Sequence, residues 1–290
     1  MTTVSFGLDK PPPCMPLKLS ALRDLPALPA AVVELLELMG REDVDSGALA
    51  LKISRDQALT TKTLRLANSS FYGVSRSVAS VTEAITVLGL RTVRVVVTAA
   101  ALTGSFKPPR CAGFDFASYW RQAVSTGVGA KLVAAEIGAD AETAFTAGLL
   151  HDIGQLVLAS AFPERFAEVL AHQISAQVAL YDAEHALLDT DHAAVGALVT
   201  ELWHLPGPIV DAIASHHASP ANAATSDLVR IVHVADQLAH AAGLGRTDLD
   251  LPPAACRGVW ADLGLPAESW APILAETELQ TQAICAALHC

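Results

Sequence analysis

His151 and Asp152 stand side by side after an apolar run, in the string AGLLHDIGQ. A neutral imidazole nitrogen and a carboxylate oxygen are both good ligands for a divalent ion, and a helix end can present the two to one point. Four further residues carry the same chemistry. His192 opens the segment DHAAVGALVTELW, His216 and His217 close the next one, and Asp236 lies within VRIVHVADQLAH. A helical bundle that gathered these six side chains around one pocket would suit iron, manganese or zinc. The same residues also read as a buried polar network that ties helices together, and both readings stay open at this stage. All ten histidines of the chain fall after residue 150, which points to two functionally unlike halves.

The elements that must position these residues are helices. Residues 29–39 place apolar side chains at 32, 35, 36 and 39, the spacing of one helix face, with Pro29 suited to the first turn. Ser80-Val81-Thr82-Glu83 is a capping box for a helix that stops at Gly89. Residues 90–103 are rich in valine, but their length and alanine run favour a buried helix over a strand. Two prolines and two glycines within 104–114 mark a boundary. Beyond it, Asp115 is expected to cap a long helix that ends near Ile137–Gly138, and Asp140 to start the helix leading into His151. Further helices are expected at 163–173, 176–188, 191–203, 208–217 and 226–242. Residues 243–290 read as a proline-broken tail with one helix at its end. Tyr119, Trp120, Phe145 and Trp203 sit in apolar helical contexts and are expected in the core. The fold class is all-α, a two-lobe helical bundle.

Composition narrows the function classes. The chain has 290 residues, 52% hydrophobic and 17% charged, which suits a globular protein with a real core rather than a disordered tail or a rod. Its longest charge-free apolar stretch, Val95 to Phe106, is too short for the roughly 20 residues of a spanning helix, and no basic-then-apolar leader opens the sequence. A cytoplasmic protein with no membrane partner is expected. Five cysteines without a CxxC pair suggest neither a zinc knuckle nor a disulfide framework. Net charge is −11 overall, yet residues 52–110 carry nine basic against two acidic side chains, while residues 111–290 carry six against twenty-one. The basic segment, with Arg55, Lys62, Arg65, Arg91 and Arg94 as its candidate contacts, could meet an anionic ligand, an acidic partner or the acidic half of its own chain. The overall negative charge and the lack of a nucleic-acid motif count against a nucleic-acid regulator, which remains a rival for this segment.

Several ordered strings together resemble the HDOD family, a branch of the HD superfamily in bacterial signalling. They are LRDLPALPAAVVELLEL (22–38), RDQALTTKTLRLANSSFYG (55–73), SVTEAITVLGLRTVR (80–94), SYWRQA (118–123), AFTAGLLHDIGQLVL (144–158), DHAAVGALVTELWHLP (191–206), SHH (215–217) and VADQL (234–238). The resemblance covers roughly residues 19–240. It implies an N-terminal helical lobe over 19–105 packed on a degenerate HD-type bundle over 110–240, with 243–290 as a C-terminal helical tail. It also implies that His151 and Asp152 correspond to the metal-binding HD pair, His192, His216 and His217 to the added histidines of the HD-GYP cyclic-di-GMP phosphodiesterases, and Asp236 to the closing aspartate.

Three departures from the catalytic pattern stand out. Gln122 falls where the first histidine is expected, Gln155 where a lysine should follow the HD pair, and ASPANAA replaces an acidic, glycine-rich stretch after His217. Phosphodiester hydrolysis needs an activated water and charge stabilisation together. The resemblance therefore implies a regulatory, non-catalytic or weakly catalytic output protein. Its expected partners are other signalling proteins (receiver, kinase or diguanylate cyclase modules), a small anionic ligand, or a second copy in a homodimer. A metal-dependent phosphohydrolase of a nucleotide or cyclic dinucleotide is the rival.

Overall fold

Acidic or hydroxyl side chains start many of the helices, and in the computed structural model each does so by taking backbone N–H groups that the first turn leaves unpaired. Asp45, Asp56, Ser80, Asp115, Asp140 and Asp191 all cap in this way. The structure describes residues 45–69, 77–217, 225–243 and 257–289, and no strand occurs among them. The expected helix at 29–39 lies outside the described residues.

Among the described residues, four helices come first: α1 (Ser46–Ser54), α2 (Gln57–Ala67), α3 (Val81–Leu88) and α4 (Leu90–Ser105). The capping box at Ser80 forms: the Ser80 hydroxyl accepts from Glu83 N at 3.1 Å, and Glu83 reaches back to accept from Ala79 N at 3.0 Å. Gly89, at φ +80°, makes the turn into α4. Asn68 ends α2 and clamps residue 78 in both directions, donating to Val78 O at 2.8 Å and accepting from Val78 N at 2.7 Å.

After a non-helical connection at 106–115, α5 (Phe116–Glu136) forms the axis of the remainder. It packs against α6 (Ala141–Leu150), α12 (Asp227–Gly243) and the last helix, α14 (Trp270–Leu288). Between α6 and α12 run α7 (Ile153–Ala161), α8 (Pro163–Ala176), α9 (Leu180–Leu188), α10 (His192–Leu202) and α11 (Gly207–Ser215), and α13 (Arg257–Asp262) precedes α14. Tyr119, Trp120, Phe145 and Trp203 are buried as expected. Helix α9 begins four residues later than its periodicity suggests, because Gln177 adopts a left-handed conformation and ends α8 first.

The C-terminal segment is more than a tail. Trp270 and Leu274 are fully buried, Ile284, Cys285 and Ala287 nearly so, and α14 contacts α2 and α4 as well as α5 and α12. At its C-terminus, Arg65 of α2 donates to Ala287 O at 3.4 Å and touches the His289 ring. No described helix is long and apolar enough to cross a membrane.

Several basic residues of the N-terminal helices make contacts within the chain. Lys62 donates to Ala100 O at 3.2 Å, and Arg65 is committed to the end of α14. Arg91 and Arg94 line a cleft beside the start of α6 together with Asp140 and Glu142. Arg94 is buried there. Burial pushes the Glu142 carboxyl up, and Lys131 and Arg94 pull against it. Arg55 sits exposed at the end of α1.

Candidate metal centre

Helix ends supply most of the candidate ligands. His151 ends α6, Asp152 directly precedes α7, His192 opens α10, and His216 ends α11 with His217 beside it. Asp236 comes from within α12. His151 and His216 share one local device: each donates its Nδ1–H, at 2.7 Å, to the carbonyl three residues earlier, Gly148 O and Ile213 O respectively. Those carbonyls are among the groups that a helix C-terminus leaves unpaired. Donation from Nδ1 leaves Nε2 as the lone-pair nitrogen of each ring.

The rings then face the carboxylates. His151 Nε2 lies 3.3 Å from Asp152 Oδ2 and 3.3 Å from Asp236 Oδ1. Asp152 Oδ1 lies 3.1 Å from His192 Nε2 and 3.4 Å from His216 Nε2. His192 Nε2 is 2.7 Å from His217 Nε2. Asp152, His192, His216 and His217 each place a donor atom within 4.8 Å of all the others. The structure thus brings all six sequence candidates together, four in one cluster and His151 and Asp236 against Asp152.

The residues fit a divalent ion. His151 Nε2 and His216 Nε2 are buried without a well-formed hydrogen bond, their carboxylate neighbours standing 3.3–3.4 Å away, and a cation among them would satisfy both nitrogen and oxygen. Three imidazoles and a carboxylate are a donor set for zinc, iron or manganese. Electrostatics agree. Burial works against charge on His192, but Asp152 and then Glu184 outweigh it and raise its pKa to about 10. Burial and the neighbouring His216 and His192 push His217 down to about 3. Burial would raise the Asp152 carboxyl, yet His151 and His192 hold it well below the usual carboxylate range. The cluster holds positive charge among rings that crowd one another, which a single cation can replace.

Glu184 is a residue of the cluster's surroundings that sequence reading missed. It is fully buried in α9 and accepts from His192 Nδ1 at 2.6 Å and from His192 N at 2.9 Å. Its signal was available, since it falls on an apolar face with Leu180, Leu187 and Leu188. His233 holds the His216 carbonyl, donating from Nδ1 at 2.9 Å. Gln122 does reach the centre: its Nε2 donates to Asp236 Oδ1 at 3.3 Å. A cavity of about 590 Å³ opens over the cluster, lined in part by Gln122, Gln155, Tyr181, His192, His217 and Asp236.

A Treponema pallidum protein described only as uncharacterized is 29% identical over 199 residues, 68% of this chain, and the chain spans 38% of that protein's length. A Shewanella amazonensis crystal structure, provisionally described as a phosphohydrolase, matches with a TM-score of 0.76 at 27% identity, covering 93% of this chain and 97% of that one. A Marinobacter aquaeolei crystal structure, provisionally described as a signal transduction protein, also matches at 0.76, with 26% identity over 95% of this chain and 61% of that one. The family model of the HDOD domain matches residues 25–219, a span that holds every ligand candidate except Asp236. This chain therefore belongs to the HDOD-domain family.

Proposed function

We propose that the protein is a signal-transduction output module whose bundle holds a divalent metal ion at the His/Asp cluster and acts by binding rather than by efficient turnover. One observation carries the reading: Asp152, His192, His216 and His217 converge, and the buried Nε2 atoms of His151 and His216 face carboxylate oxygens at 3.3–3.4 Å without a well-formed hydrogen bond. His151, Asp152, His192, His216, His217 and Asp236 are the residues that would hold the ion. Bound there, it supplies positive charge that can grip an anionic group or polarise a water molecule.

The surrounding residues favour grip over turnover. Gln122 and Gln155 face the cavity where catalytic relatives are expected to have a histidine and a lysine, and a neutral amide can orient a ligand but cannot neutralise developing charge. Gln122 also donates to Asp236, which engages one lone pair of that carboxylate. Other signalling proteins are the proposed partners, of the receiver, kinase or diguanylate cyclase type that the family resemblance implies, or a second copy of this chain. The phosphohydrolase reading rests on the description of the Shewanella relative.

Elemental analysis of protein purified without chelator or a histidine tag, beside Asp152→Ala, tests the proposal. Near-stoichiometric zinc, iron or manganese that disappears in the variant is expected. A phosphoester panel should then show no efficient turnover. Turnover that vanishes in Asp152→Ala would establish the hydrolase instead, and no metal in either protein would sink both readings.

A further inference from the structure

Glu184 accepts two hydrogen bonds through Oε2, both from His192, while its Oε1 is buried with no partner. A carboxylate wholly removed from water is costly unless opposite charge compensates it. The turn between α9 and α10 does not rest on this carboxylate alone, since other residues hold it beside the bond from His192 N. Asp189 takes the left-handed turn position, Asp191 caps α10 by accepting from Ala194 N at 2.8 Å, and His185 Nε2 lies 2.9 Å from Asp191 Oδ2. What Glu184 adds beyond its bond to the His192 backbone N–H is to fix one ring. Its bond to Nδ1–H turns the other nitrogen of His192 toward Asp152, His216 and His217.

We propose that Glu184 is a positioning residue: it locks His192 as an Nε2 donor and places, one ring behind the cluster, the negative charge that a cation on that ring requires. A carboxylate behind a ligating imidazole fixes its tautomer and raises its basicity. The inference rests on the metal-centre reading above and extends it to a residue outside the cluster.

Calorimetric titration with Zn²⁺ of the full chain tests it, comparing wild type with Glu184→Gln, Glu184→Ala and Leu187→Ala. Leu187 lies on the same helix, 2% exposed, and controls for simple loss of packing. Glu184→Ala should weaken Zn²⁺ binding by about 10–100-fold. Glu184→Gln, which can still accept from Nδ1–H but carries no charge, should fall between it and wild type, and it carries the test alone if the alanine variant does not fold. Leu187→Ala should bind as wild type does despite lower stability. The d–d absorption of Co²⁺-loaded protein should also change in the Glu184 variants and not in Leu187→Ala. Unchanged affinity and spectrum in the Glu184 variants, or equal weakening in Leu187→Ala, overturns the assignment and leaves the metal centre standing. Wild type that takes up no Zn²⁺ overturns both.

Discussion

At His151 and again at His216 a helix ends and the ring turns back on it, so one nitrogen repairs a frayed carbonyl and the other is left for something else. His216 should therefore behave as a ligand and His233, which only holds the His216 carbonyl, as its support. His216→Ala is expected to weaken Zn²⁺ binding beyond the 10–100-fold typical of a supporting residue, and His233→Ala to stay within about that range; titration of both variants checks the order. Metal uptake should also depend on pH, because ligand nitrogens must be deprotonated. His192, with its pKa raised to about 10, holds a proton below that pH that an arriving ion displaces. Acid therefore opposes loading: affinity should drop about tenfold per pH unit for each proton released. A flat affinity profile between about pH 6 and about pH 9 would contradict this.

At the scale of elements, the cluster depends on how closely α7 and α10 approach. A Cβ built on Gly154 would lie 1.9 Å from His192 O, and one on Gly196 would lie 3.3 Å from Gly154 N. The obstacle at Gly154 is backbone, so it cannot rotate away. Gly154→Ala should force the two helices apart, destabilise the protein by about 3 kcal/mol and loosen metal binding together with it, as urea unfolding and titration would show. Neither glycine announces this in the sequence, where each is one small residue within an apolar helix. The caps at Ser80, Asp115 and Asp140 were legible because capping is settled within four residues of chain. The six candidate ligands were legible by type and order. Glu184 was overlooked despite its apolar helix face, because an acidic residue beside His185 reads as solvated until the fold puts His192 against it. Helix α7 was not singled out either, since it follows α6 with only His151 and Asp152 between them.

Over the whole molecule, the charge asymmetry of the sequence is partly spent internally. Lys62 and Arg65 bond to the chain's own carbonyls, and Arg91 and Arg94 share a cleft with Asp140 and Glu142. The acidic half of the chain is thus one of the things that the basic segment meets, as charge alone allowed. The end of the chain was less legible, because its prolines hide how much of it enters the core. Trp270, fully buried, packs with Trp260, their ring centroids 5.1 Å apart. Trp270→Ala should cost about 3–5 kcal/mol, which a chemical denaturation curve would read directly.

The bond from Arg65 to Ala287 joins residues 222 positions apart. Synthesis runs from the N-terminus, so α2, α4 and α5 emerge long before the helix that packs on all three, and until then apolar surface meant for α14 stays open. A ribosome-stalled chain ending near residue 262 should therefore be digested readily by protease, and one extended past residue 288 by enough linker to clear the exit tunnel should resist it. The core closes late, when residues 270–288 reach it.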